Sequence, residues 1–535
     1  MLSLLLSALV LGGTSSIAFA QSVNSRVSGI VKDTAGAVIP GAKVTLMDSA
    51  TKDQKYVTTN EDGTFSINEV RPGTYSVIVE GTGFKKLNVT KVEVHVDTPV
   101  ILSSLTLEAG GVTETVSVTA SDAQSLIRSE DAKLSTTVDV KQVQDLPLNG
   151  RNPINLAGGM AGVNTNTNTR QASINGLRGS FSNITWDGIE INDNLVRTDS
   201  LFGVNTPSVA AVAEFTLTTQ NADATDGLGI AQVKLTTPRG GSTYHGEAYD
   251  FYRNDKFDSN AFFNNATGLP KPKLLQHQYG FNVSGPFALP RFGEGGPVLT
   301  EKNKLFFYFY YEFTDTQQDF TPNRTVLLDP ARQGNFTYLR TDNNQLQTIN
   351  LLALSGRTID PRISQLIGLT PSSNNTSIGD TRNTAGFRFN TPNGSTGRNI
   401  GFRLDYDITS KHRVEGVYSH FLSKLPNDVQ LNNIGEQFPG LPGGGQESSR
   451  PRWAVAWIAS MTPNITNEAR FGFSSSTPLF FNNEDFSEGY RLTLPLITNP
   501  IQNFLQQGRA PRNYDLIDNL TWVKGNHVFK FGTSA

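Results

Sequence analysis

The sequence predicts a mainly β chain in three successive parts: an N-terminal immunoglobulin-like β-sandwich, a compact α/β unit, and antiparallel strands of a transmembrane β-barrel. Three observations predict it. Short β-prone runs with turn signals between them recur up to about residue 108. From Gly241 onward, apolar and polar residues alternate in segments of about ten, the pattern of a strand with one face in lipid and one in a lumen. Between these regions, residues 173–193 hold two short strand-like runs, the second with an Asp187-Gly188 turn followed by alternating Ile189, Glu190 and Ile191.

The bulk numbers agree with a β-barrel and exclude other classes. The chain has 535 residues, more than one ordinary domain holds. Its formal net charge is −3, so there is no electrostatic footprint for a nucleic-acid partner. It has no cysteine, which excludes disulfide scaffolds, thiolate metal sites and cysteine-linked lipid anchors. Mean hydropathy is −0.29, too low for a bundle of apolar helices but ordinary for strands that are apolar on one face only.

Residues 1–20 form an apolar run ending Ala18-Phe19-Ala20, a signal peptide with a small-x-small cleavage site, although its start carries no Lys or Arg. Export is expected. Residues 21–108 carry the sandwich. Tyr75, Val77 and Val79 alternate with polar neighbours at the period of a half-buried strand, and turns fall at Glu61-Asp62-Gly63 and Arg71-Pro72-Gly73. The motifs Gly29-Ile30-Val31-Lys32-Asp33, Ile39-Pro40-Gly41-Ala42 and Pro72-Gly73-Thr74-Tyr75 resemble the carboxypeptidase regulatory-like domain, a non-catalytic fold grouped with carbohydrate-binding modules. Asp33 and Asp62 read as turn residues rather than calcium ligands.

Residues 109–123 form a linker whose centre is Thr113, Glu114, Thr115, Val116, Ser117, Val118, Thr119 and Ala120. A short β-prone run flanked by small residues suits capture as an added strand on another protein's sheet edge. Read alone, it serves equally as a last strand of the sandwich. The run resembles the TonB box of outer-membrane transporters, and that resemblance implies a TonB-type energy-coupling protein as partner.

Residues 124–239 contain a helix-compatible stretch (Val138, Val140, Val143, Leu146), the opening paired-strand motif, then strand-like runs at 212–217 and 230–237. This order, with Asn175-Gly176-Leu177-Arg178-Gly179 and Trp186-Asp187-Gly188-Ile189, resembles the α/β plug domain of TonB-dependent receptors. Gly240-Gly241-Ser242-Thr243-Tyr244-His245-Gly246 and Gln278-Tyr279-Gly280-Phe281-Asn282 narrow the resemblance to the Oar-like branch. Arg178, Asp187 and Glu190 are expected to be structural, paired with the lumen wall, because an unpaired buried charge is expensive.

Residues 240–535 supply the barrel. Ile400, Phe402, Leu404 and Tyr406 would face lipid, opposite Gly401, Arg403, Asp405 and Asp407. Leu305, Phe307, Phe309, Tyr311 and Phe313 likewise oppose Phe306, Tyr308, Tyr310 and Glu312, and Trp453, Val455 and Trp457 oppose Arg452, Ala454 and Ala456. Residues 361–369 are expected to form a short helix inside the longest loop, 314–398. Roughly ten strands follow the plug, whereas the resemblance implies about 22, the size that leaves a plugged lumen. The barrel is therefore expected to be partial, truncated at its C-terminus.

The six histidines are scattered, and neither Gly-x-Ser-x-Gly nor Gly-Lys-Ser/Thr occurs. No catalytic residue, metal site or cofactor is expected, and the chain is not expected to be an enzyme. The resemblance implies a TonB-dependent receptor and transporter in the outer membrane, in contact with its lipid and with an extracellular ligand of unknown identity. A rival reading makes it a surface adhesion or matrix-assembly protein that uses the sandwich as a carbohydrate-binding module.

Overall fold

The computed structural model describes residues 24–111, 114–123, 133–146, 148, 151–165, 172–177, 182–195, 201, 203–222, 229, 231–287, 304–462, 464–483, 492–524 and 527–535. The signal peptide, Thr113 and Arg178 lie outside the described residues.

The sandwich is built from β1 (Ser25–Asp33), β2 (Lys43–Asp48), β3 (Gln54–Thr58), β4 (Thr64–Val70), β5 (Gly73–Glu80), β6 (Lys86–Val94), β7 (Val100–Leu107) and β8 (Thr115–Thr119). One sheet has the order β4-β1-β7 and the other β3-β2-β5-β6-β8. Val27, Val44, Val77, Val79, Val89 and Leu102 are fully buried between them, as the two-residue alternation requires. Asp33 makes a turn: its Oδ1 accepts from the amides of Ala35 at 2.9 Å and Ala37 at 2.8 Å.

The linker expected over 109–123 is corrected in its second half. Thr115–Thr119 lies parallel to β6, with Lys86 opposite Thr115 and Thr90 opposite Thr119, and Ala120–Ala123 adds a helical turn. The cause is packing: Val116 and Val118 rest on the sandwich core and Ala120 is buried in it.

The plug region contains β9 (Leu134–Val138), β10 (Val163–Asn164), β11 (Ser173–Ile174), β12 (Ser182–Trp186), β13 (Ile189–Glu190), β14 (Glu214–Gln220) and β15 (Ala231–Thr236). Five of these form one sheet, ordered β13-β12-β15-β14-β9. Every residue of β12 and β15 is buried, so this sheet is covered on both faces. A helix at Val140–Asp145 starts in a capping box, with the Asp139 carboxylate and the Gln142 side chain each accepting from the other's backbone amide. Asp187 (φ 50°) and Gly188 (φ 75°) form the tight turn between β12 and β13.

The third part comprises β16 (His245–Asn254), β17 (Leu274–Pro286), β18 (Leu305–Phe320), β19 (Asn323–Leu327), β20 (Asn335–Leu339), β21 (Leu346–Asn350), β22 (Thr384–Arg388), β23 (Thr391–Pro392), β24 (Ser395–Asp407), β25 (His412–Leu425), β26 (Gly444–Thr462), β27 (Ile465–Ser475), β28 (Thr477–Asn482), β29 (Gln507–Gly508), β30 (Arg512–Lys524) and β31 (His527–Ser534). A curved antiparallel wall runs β16-β17-β18-β24-β25-β26-β27-β30-β31, with β23, β28 and β29 attached at its rim. Among the described residues β16 pairs only with β17 and β31 only with β30, so the wall is open.

The two faces are those the alternation predicts. Phe402, Leu404, Val455, Trp457 and Phe471 are exposed on the outside, while Phe306, Tyr308, Tyr310, Arg452, Ala454 and Ala456 are buried inward. An exposed apolar belt on a sheet in water invites aggregation; in a bilayer it is solvated. Among the described residues no helix is long and apolar enough to cross a membrane. The segment between β18 and β24 holds β19–β23 and three short helices, one of them at Pro361–Gly368, where Asp360 caps the Arg362 amide at 2.9 Å. Strands β18 and β24 each extend a few residues into the loop expected over 314–398.

Candidate functional site

Three regions make the site: the β8 strand on the sandwich, the seat of the plug in the wall, and the seam where the sandwich meets plug and wall.

Strand β8 is the outer strand of its sheet, and among the described residues only β6 pairs with it. Thr115, Ser117 and Thr119 are exposed, while Val116 and Val118 are half-buried. The strand is held at its start by the Lys86 amide, which donates to the Glu114 carbonyl at 2.8 Å, and by Lys85, 3.1 Å from the Glu114 carboxylate. Among the described residues no second strand pairs with the other edge of β8.

The plug seat centres on the β12–β13 turn. Arg452, on β26, donates to the Trp186 carbonyl and at 2.8 Å to the Asp187 carboxylate, and its guanidinium lies 4.3 Å from the Trp186 ring centroid. Arg403, on β24, stands 3.7 Å from the other Asp187 oxygen. Arg470, on β27, donates to the Asp187 carbonyl at 2.7 Å and is itself paired with Glu468. Thr237 donates to Asp187 from its amide at 2.8 Å and its hydroxyl at 2.7 Å. Asp187 is thus satisfied on every side, as a carboxylate 3% exposed must be. Glu190 accepts at its carbonyl from Ser474 at 2.9 Å. Elsewhere on the wall, Tyr308 donates to the Ala210 carbonyl at 2.5 Å and Arg450 to the Thr206 hydroxyl at 2.9 Å.

The seam is also polar. Three turns at one end of the sandwich enter it. From the β2–β3 turn, Asp48 pairs with Arg239 at 2.8 Å and Asp53 with Arg413 at 3.2 Å. From the β4–β5 turn, Arg71 meets Glu415 at 2.7 Å and Asp407 at 3.3 Å. From the β6–β7 turn, Asp97 takes Lys133 and, at 2.6 Å, Lys234, while the Val96 amide donates to Glu214 at 2.7 Å. A cavity of about 660 Å³ lies in the seam, lined among others by Arg71, His95, Glu214, Arg239, Arg403 and Glu415.

Two seam groups make docking pH-dependent. Asn24 bridges the Glu69 and Glu468 carboxylates at 3.0 and 2.9 Å. Burial first, and then the Glu468 charge, push the Glu69 carboxyl up to about 7, against the opposing pull of Lys55 and Lys530. His95 is raised as well, chiefly by its hydrogen bond to Glu214. Both groups bind protons more tightly here than in free solution, and groups across the seam contribute, so Glu69's share of docking is fully present below about 4.5 and is lost as pH rises through about 7. Asp97 and Asp48, held low against their burial by Lys234 and Arg239, act in the opposite direction at acid pH. The protection factor of the Val96 amide, whose acceptor is across the seam, reads this: it falls over Glu69's window, and Glu69→Gln removes the part of the fall that Glu69 contributes.

The comparisons with known proteins follow this geometry. A family model for the outer membrane beta barrel domain matches residues 236–535, more than half of the chain. The chain belongs to the outer membrane β-barrel family. A second model, for the carboxypeptidase regulatory-like domain, matches residues 26–108. This barrel protein is therefore an outer-membrane protein with that sandwich at its N-terminus. None of the curated proteins matches it. Among solved structures, it is similar to the siderophore receptor PirA of Acinetobacter baumannii at 16% identity and TM-score 0.44, over 75% of this chain and 47% of that one. A mutant of the ferric enterobactin receptor PfeA of Pseudomonas aeruginosa gives 13% identity and TM-score 0.43, over 75% and 48%. The transporter YddB of Escherichia coli gives 10% and 0.37, over 75% and 56%. The chain spans about half the length of these structures.

Of the residues singled out in the sequence, the barrel protein's fold brings Asp187 and Glu190 to the wall and places Glu114–Ala120 some distance away on the sandwich. Sequence reasoning missed the wall partners Arg452, Arg470 and Glu468 and the seam groups Asp48, Arg71, Asp97 and Arg239. A signal existed for the wall group, since each occupies the inward register of a strand whose outward residues are apolar.

Proposed function

We propose that this outer-membrane protein is a TonB-dependent receptor and transporter. An extracellular ligand binds above the plug, a TonB-type protein pairs with the residues 113–120 as an added strand, and pulling from the inner membrane rearranges the plug. The observation that carries this reading is the plug seat. The plug meets the wall through a small apolar contact of Ile189 with Val417 and Ala454, through Tyr308 and Tyr310, and through this polar seat. Buried ion pairs contribute little net stability because water solvates their charges again on release. The Asp187 seat therefore holds position without locking it. The outer edge of β8, to which no second strand pairs among the described residues, supplies a place for strand addition. The sandwich sits at the wall end where β24–β25 and β26–β27 turn tightly, the periplasmic end of such barrels, which disfavours the adhesin reading.

The test is photo-crosslinking in cells. A photoreactive residue at Ser117, exposed on β8, is expected to give an adduct with the TonB-type protein. Tyr56, exposed on the opposite edge strand β3, is expected to give none. No adduct at Ser117, or equal adducts at both positions, would contradict the reading.

A further inference from the structure

The candidate partner-binding strand is not attached directly to the plug. It is a strand of the sandwich, and turns of the sandwich dock on the plug at Lys234 and on the wall end at Asp407, Arg413 and Glu415. We propose that the sandwich is a latched stopper and that β8 is its handle: the partner strand adds to the outer edge of β8, and pulling withdraws the sandwich as one body before the plug moves. This deepens the reading above and rests on it only for the identity of what pulls.

Three observations carry the proposal. First, the sandwich and the plug have separate hydrophobic cores: residues 27–120 make up one, and residues 138–235 with two wall tyrosines the other. No apolar cluster bridges them among the described residues. Second, the seam consists of charged and hydrogen-bonded pairs, Asp48–Arg239, Arg71–Glu415 and Asp97–Lys234 among them. Separating these pairs exposes ions that hydrate, and among the described residues no buried apolar cluster spans the seam, so undocking is cheap relative to unfolding either body. Third, β8 runs parallel to β6, whose far end leads into the seam turn with His95 and Asp97. A pull from the start of β8 away from the barrel runs along the strand. It loads the β6–β8 hydrogen bonds together, in shear, and passes the load to the seam.

The chain has no cysteine, which permits a clean test. A Cβ built on Gly241 lies 3.4 Å from the Ala50 Cβ, across the seam, close to the separation a disulfide needs. In the full chain carrying Ala50→Cys and Gly241→Cys, embedded in lipid, a handle on an amber-encoded reactive residue at Glu114 is pulled in a single-molecule force experiment. The disulfide is expected to form on oxidation, and the first-rupture force to rise at least about twofold over the reduced form, because a covalent bond replaces polar contacts. Failure of the bond to form in folded protein would show that the sandwich is not docked and overturn the proposal. An unchanged rupture force would show that β8 peels off by itself and overturn it equally. Asp97→Asn, which removes a seam charge without adding a bond, is expected to lower the first-rupture force; no change would again count against the latch. None of these outcomes depends on a TonB-type protein, whereas the Ser117 crosslink depends on it alone, so the two readings fail separately.

Discussion

Arg452→Ala is expected to unseat the β12–β13 hairpin and to cost about 3–5 kcal/mol of stability, the usual result of removing one partner from a buried ion pair. The side chain is fully buried and does three things at once. It neutralises Asp187, satisfies the Trp186 carbonyl and stacks over the Trp186 ring. Its loss leaves a carboxylate 3% exposed with Arg403, at 3.7 Å, as the wall ion-pair partner that remains among the described residues. Chemical denaturation of the detergent-solubilised protein measures the loss, and protease cleavage near the 187–190 turn reports the unseating. The variant Asp187→Asn/Arg452→Met separates two explanations. If the penalty comes from a stranded charge, the double variant is expected to recover most of the stability lost in Arg452→Ala, since replacing both members of a buried pair is often near neutral. If it loses as much as the single variant, the ring contact and packing of Arg452 dominate instead.

The sequence carried the strand faces and very little of the long-range pairing. Inward and outward registers at 305–313, 400–407 and 453–457 follow from alternation alone, because a strand has a period of two and one face must meet lipid. The Asp187-Gly188 turn was legible because a type I′ hairpin loop needs positive φ at both positions, which Asp-Gly supplies. That Asp187 would pair with the wall was legible on energetic grounds, but its partner was not: Arg452 is 265 positions away, and nothing local distinguishes it from Arg403 or Arg470. The position of residues 113–120 could not be settled locally either. Val116 and Val118 suit an edge strand and a tether equally, and the parallel pairing with β6 exists only after the sandwich has formed. The seam was invisible for the same reason, since Asp48, Arg71 and Asp97 lie in turns, where charged residues are ordinary.

The largest functional effect is expected from the β8 segment. Deleting residues 113–120 removes the strand to which the partner is proposed to add, so energised transport should cease while ligand binding at the cell surface, far from this segment, continues. Deletion also strips the outer strand from the sandwich and uncovers the core beneath Val116 and Val118. A second variant keeps that strand in place: Thr115→Lys/Ser117→Lys/Thr119→Lys changes only exposed side chains and charges an open edge, a standard block to strand addition. The decisive measurement is accumulation of a nutrient whose uptake depends on this protein, compared between the wild type, the deletion and the triple-lysine variant, with surface binding measured in parallel. The account predicts accumulation falling to the level seen without a proton gradient in both variants, with surface binding unchanged. Undiminished accumulation in both would contradict it.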